Sequence, residues 1–177
     1  MDFNWQPMVG SSFVSFLLSF MVAKAWRPFA PKRSEDVLLE VPMGWFERLL
    51  VHRTQGALLI IYLLLGSIPD AGETWFLEGT PSIGLVGLAV VLSLPMRYVF
   101  TTTGVGINNN ASWGWKTFRK YDVRPARSPF GVTALPATAT IRLSGRAAGR
   151  GRAPDRTLHL RAESVNEATR IIRRCVR

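Results

Sequence analysis

The residues best able to do chemistry crowd into one stretch, YVFTTTGVGINNNASWGWKTFRKYDV, running from Tyr98 to Val123. Gly104-Val105-Gly106 follows a β-like run, which is where a phosphate-cradling loop would begin. A P-loop also needs Lys and Ser or Thr at fixed places before a helix, and a dinucleotide fingerprint needs a third glycine. Neither is present, because Ile107 and Asn108 to Asn110 follow. Gly and Asn tolerate positive φ, so the segment reads as the bend of a hairpin.

No other catalytic constellation emerges. Cys and His have no metal-ligand spacing, and no G-x-S-x-G elbow occurs. The carboxylates after Arg97 are Asp122, Asp155, Glu163 and Glu167. The last two read as charges at a helix start. The expectation is a protein that is not an enzyme and needs no cofactor or metal. His52 is weighed separately, because an imidazole at a membrane boundary can ligate haem iron or a pigment magnesium. The only other histidine, His159, lies far along the chain, so an interfacial structural role ranks above a pigment ligand. The interaction candidates are Trp113, Trp115, Lys116, Arg119 and Lys120, where aromatic and cationic side chains alternate as lipid or partner contacts would.

The elements that must carry these residues follow from hydropathy and charge. Uncharged runs extend over 21 residues from Phe3 to Ala23, 16 from Thr54 to Pro69 and 18 from Gly79 to Met96. About 20 apolar residues make a helix that crosses roughly 30 Å of hydrocarbon. These runs predict three transmembrane helices, about 6–25, 49–68 and 79–96, the second borrowing Leu49, Leu50 and Val51 from its flank. A cytoplasmic linker and interfacial helix, 26–53, joins the first two, with Pro42 at the helix start and Trp45 at headgroup depth. Residues 1–96 thus form a membrane domain and 97–177 a cytoplasmic one.

All 22 Lys and Arg lie between Lys24 and Arg53 or from Arg97 onward, whereas Asp70, Glu73 and Glu78 occupy the short connection PDAGETWFLEG. Positive residues stay cytoplasmic. The predicted topology therefore puts the N-terminus outside and the C-terminus in the cytoplasm of a multi-pass bacterial inner-membrane protein. Met1 to Pro7 lacks the basic start of a signal peptide, so the first helix reads as a retained anchor. The lone Cys175 excludes an intrachain disulfide and suits a reducing compartment. Ser11, Ser15, Ser19 and Ala23 recur every four residues on the first helix, a small-residue stripe against which another helix can pack closely.

After Arg97 the pattern changes to short segments. RYVFTT reads as a strand, ASWGWKTFRKYDV as one or two strands, and TATIRLSG with RTLHLRA as a second pair joined by an Arg- and Gly-rich loop. The chain ends in a predicted helix with Ser164 and Glu167 as its capping box and Val165, Ala168, Ile171, Ile172 and Cys175 as its apolar stripe. This tail resembles small bacterial PH-like domains attached to membrane hairpins, of the YcxB-like or related uncharacterised kind. The resemblance rests on the membrane-proximal YVFTTTGVGI, on WGWKTFRKYDV and on the terminal ESVNEATRIIRRCV. It implies a cytoplasmic α+β domain with a C-terminal helix, serving in binding or scaffolding. The Arg- and Gly-rich insertion and the few clear strands depart from a full seven-stranded barrel.

Sixteen basic residues against four acidic ones from Arg97 onward favour a negatively charged leaflet, where each nearby cation contributes about 1 kcal/mol. Nucleic acid is the competing partner for such charge, and tethering to a membrane disfavours it. The leading expectation is a non-catalytic membrane scaffold whose basic PH-like domain binds anionic lipid or a protein partner. The alternative is an accessory subunit of a larger energy-converting or photosynthetic membrane complex, packed through its transmembrane helices against other membrane protein subunits.

Overall fold

The structure, a computed structural model, describes residues 5–26, 36–66, 68, 76–109, 113–127, 137–145 and 155–176. The acidic hairpin residues Asp70 and Glu73, most of the basic linker after Trp26 and the Arg- and Gly-rich loop lie outside them. Two compact units divide the chain: Met1–Pro28 with His52–Leu94, and Phe29–Val51 with Pro95–Arg177.

The first unit is helical. α1 (Gln6–Ala25) starts with proline in its first turn, where the missing N–H costs nothing. α3 (Arg53–Gly66) and α4 (Thr80–Ser93) are its other helices among the described residues. α4 follows Gly79, which adopts a left-handed φ of 79°. It ends at Leu94, whose extended backbone reflects the restriction that Pro95 places on its predecessor. Val14, Leu17, Met21, Leu59, Leu63, Phe76, Leu88 and Val91 form its core. Gly84 lets the three helices close up: a Cβ there would stand 2.8 Å from Leu63 and 3.2 Å from Val14.

The expectation of three membrane-spanning helices is overturned. Among the described residues only α1 is by itself long and apolar enough to cross a bilayer. The second expected span is broken at His52 into α2 (Trp45–Val51) and α3, which pass the length test only as a bent pair. The residues it was to borrow, Leu49, Leu50 and Val51, belong to α2, which falls in the other compact unit. Stopped by Pro95, α4 has 14 residues, a length of about 21 Å against the roughly 30 Å needed. The orientation with the N-terminus outside, argued from three crossings, goes with them.

The second unit is α+β. β1 (Val37–Pro42), β2 (Arg97–Thr101), β3 (Gly104–Ile107) and β4 (Trp113–Gly114) form an antiparallel sheet in that order. β5 (Phe118–Arg127), β6 (Thr138–Gly145) and β7 (Asp155–Arg161) form a second antiparallel sheet. α5 (Ala162–Cys175) packs against β5, β6, β7 and β1. Period-two burial places Ala139, Ile141 and Leu143 of β6 and Leu158 and Leu160 of β7 inside. Ala168 and Ile172, one helical turn apart, are the buried face of α5.

Three local readings change here. Residues 37–42, expected in the linker before a helix starting at Pro42, are a strand paired with β2 through Val41↔Tyr98 and Pro42↔Arg97. GVGI is a strand, and the bend is Thr102-Thr103 before it. α5 begins at Ala162 behind Arg161, with no side-chain cap, so the Ser164 capping box does not form.

Candidate functional site

The expected contact strand is three pieces. β4 contributes Trp113, a single 3-10 turn covers Trp115–Thr117, and β5 carries Arg119 and Lys120. The turn defeats strict alternation. Trp115 is only 4% exposed, its indole N–H donates to Thr101 O at 2.9 Å, and its ring stacks on Phe100 with centroids 6.3 Å apart. Its backbone N–H also donates to Thr103 O at 2.9 Å. Trp115 is therefore a wall of the site and not a contact surface. Trp113 is half-buried beneath the Arg156 guanidinium, 5.1 Å from the ring centroid, a cation–π pair across the two sheets. Lys116, Arg119 and Lys120 are exposed.

The turn's other neighbours fix its place. Thr101 Oγ1 donates to Gly104 O at 2.9 Å and accepts from Gly104 N–H at 3.0 Å, locking the tight β2–β3 turn. Asn108, at φ 45°, accepts from Arg97 N–H at 2.9 Å through Oδ1 and closes the other end of that hairpin. Gly104 is required by close approach: a Cβ would run into the Trp113 carbonyl oxygen and lie 2.8 Å from its carbon. Tyr98 joins the two sheets, its Oη accepting from His159 N–H at 3.2 Å. Full burial pushes its phenol well above the usual value, which keeps it protonated.

Between these parts opens a cleft of about 780 Å³, within the range typical of ligand sites. Thr102 and Thr103 of the turn form one side, Lys116 another, and Arg174 with Cys175 at the end of α5 a third, with Leu38 of β1 at the apolar edge. Lys116 was singled out from sequence. Thr102, Thr103 and Leu38 were not, and Arg174 was read only as a charge suited to the helix end. Their common location depends on pairing between β1 and β2, sixty residues apart in the chain, which no local pattern displays.

The remaining candidates are not among the residues that line this cleft. His52 is buried, and neither ring nitrogen has a hydrogen-bond partner. No group of three His, Cys, Asp or Glu able to hold a metal occurs among the described residues. Of the small-residue stripe, Ser11 bonds Thr80 Oγ1 at 2.8 Å and accepts from Leu77 N–H at 3.1 Å. Ser15 bonds back to Ser11 O at 3.2 Å, and Ser15, Ser19 and Ala23 are exposed. The buried row of α1 is instead Gly10, Val14, Leu17, Met21 and Ala25. Glu47 on α2 is 1% exposed, with both carboxylate oxygens unbonded. A Cβ on Gly44 would meet both that carboxylate and Arg161 Nη2, the latter at 2.9 Å.

No protein-family model, curated protein or solved structure matches the chain.

Proposed function

We propose that this is a non-catalytic protein of the bacterial cytoplasmic membrane, inserted by its helical unit and binding anionic lipid with its basic α+β unit. One observation carries the reading. Of the 21 large apolar side chains exposed among the described residues, all but Val37, Leu38 and Trp45 belong to the helical unit. Phe16 is 62% exposed, Leu64 63%, Ile83 67% and Val86 63%. The helices are apolar on their outer faces as well as in their shared core, whereas a water-facing helix carries a polar stripe. Each such side chain gains about 1.5–3 kcal/mol on leaving water. Only α1 has the length to cross, and insertion asks only that these faces meet hydrocarbon.

Residues Leu94 to Met96 alone separate α4 from β2, so the basic unit is tethered within a few residues of the inserted one. Lys116, Arg119, Lys120, Arg170 and Arg174 have no ion-pair partner among the described residues, leaving them available to lipid phosphates. The seven strands and terminal helix of this unit support a PH-like module, the kind that its sequence resembles.

Two measurements on the full chain test the reading. Membranes from an expressing bacterium, washed in alkaline carbonate, should retain the protein, and release into the supernatant would sink membrane insertion. The detergent-purified protein should keep anionic lipid over zwitterionic lipid by native mass spectrometry, with the preference weakening as salt rises. Equal retention of both would sink lipid selectivity.

A further inference from the structure

We propose that the cleft between the Thr102-Thr103 turn, Lys116 and the end of α5 binds a phosphate monoester, an inference that rests on reading the basic unit as a lipid-binding module. Several cations of the unit are already occupied: Arg97 by Glu40, Arg124 by Asp122, Arg142 by Asp155 and Arg161 by Glu163. Arg156 lies over Trp113, and Arg173 donates to Tyr121 Oη. Lys116 and Arg174 have no such partner among the described residues, and none of the described residues that line the cleft they share is a carboxylate. Two cations on one cleft, with no counter-charge among its described lining residues, select an anion.

The donor set narrows the class. A phosphate monoester carries about −1.5 to −2 at pH 7 and three terminal acceptor oxygens. Two cations balance that charge. Arginine can grip two oxygens at once, lysine adds a point charge, and the Thr102 hydroxyl supplies a further donor, while the Thr103 hydroxyl bonds Thr101 Oγ1 at 3.4 Å. A diester, with a single charge, leaves one cation unbalanced. Leu38, 46% exposed, offers the ester's stem an apolar edge. The wall behind is held by Trp115 through its indole and backbone hydrogen bonds of 2.9 Å each, so the site is formed before the ligand arrives. The ester can be the headgroup of a lipid or a soluble phosphate compound.

Cys175, the only cysteine and half-buried on the cleft, is the reporter. The full chain is placed in phosphatidylcholine nanodiscs, and alkylation of Cys175 by a water-soluble maleimide is timed. One arm adds phosphatidic acid to the nanodisc, a second phosphatidylglycerol, and a third soluble glycerol 3-phosphate. Slowing of about fivefold or more by phosphatidic acid alone supports the proposal with a lipid source. Slowing by glycerol 3-phosphate as well supports it with a soluble source. Lys116→Gln or Arg174→Gln should abolish the protection, and Arg124→Gln, outside the cleft and already paired with Asp122, should leave it intact.

Equal protection by phosphatidylglycerol, equal loss in Arg124→Gln, or no protection in any arm would overturn it. A preference for phosphatidic acid over phosphatidylglycerol that survives the double variant Lys116→Gln with Arg174→Gln would overturn the cleft while leaving the lipid-binding reading in place. Loss of lipid selectivity in the unmutated chain removes that reading, and the glycerol 3-phosphate arm still decides the cleft.

Discussion

Two glycines ten residues apart should respond to alanine with opposite sign. At Gly104 a Cβ would collide with the Trp113 carbonyl, whose carbon would be 2.8 Å away, and would lie 3.0 Å from Gly114 Cα. All of these are backbone atoms, and no side chain can swing aside to make room. The strand pair Gly104↔Gly114 and Val105↔Trp113 must open to admit the methyl. Overpacking of this kind costs about 1–3 kcal/mol, against a gain of roughly 0.5–1 kcal/mol from replacing glycine in a strand. The net expectation for Gly104→Ala is a loss of about 1–2 kcal/mol. At Gly114 the nearest atom to a Cβ is Thr103 O at 3.7 Å, and φ −61°, ψ 137° suit any residue. Gly114→Ala should be neutral or stabilising by about 0.4–1 kcal/mol. Thermal unfolding of the full chain in detergent, followed by near-ultraviolet circular dichroism, reads both, at roughly 4–8 °C per kcal/mol for a domain of this size. A Gly104→Ala protein as stable as the parent, with Gly114→Ala the damaged one, would refute the close β3–β4 approach.

Other substitutions probe the remaining joints. Tyr98→Phe removes the acceptor for His159 N–H between the two sheets and should lower the melting point by the equivalent of about 1 kcal/mol, with no loss of membrane retention. Ser11→Ala deletes the bonds to Thr80 and Leu77 and should cost up to about 1 kcal/mol, while Ser19→Ala, on the exposed side, should be silent in the same melt.

The legible parts of this chain are those governed by local periodicity. β6 was read at its observed limits because Thr138 to Gly145 alternates apolar and polar side chains, and α5 was read from its Val165–Ala168–Ile172 stripe. What escaped depends on distant partners. Val37 to Pro42 carries a proline and no clear alternation, and becomes a strand because β2 is there to pair with it. Gly104 and Gly106 look like bend residues, yet Gly104 sits in a strand because β4 leaves no room for a side chain. The helices were overextended for a related reason: an apolar run measures what can enter a bilayer, not where a helix stops. The break at His52 between α2 and α3 and the constraint of Pro95 on Leu94 set the limits instead. At the site, Lys116 was visible as one cation among several. Its partnership with Arg174 and the Thr102-Thr103 turn is a product of the tertiary fold.

Whether the outer faces of the helical unit meet hydrocarbon is read by cysteine accessibility. Phe16→Cys, Ile61→Cys and Val86→Cys, each in a Cys175→Ser background, are exposed to a water-soluble maleimide in intact membranes and again after detergent solubilisation, with Lys116→Cys as the water-facing reference. The account predicts that the three helical positions resist labelling in the membrane while Lys116→Cys reacts freely. Labelling of all three at the rate of Lys116→Cys in intact membranes would contradict it.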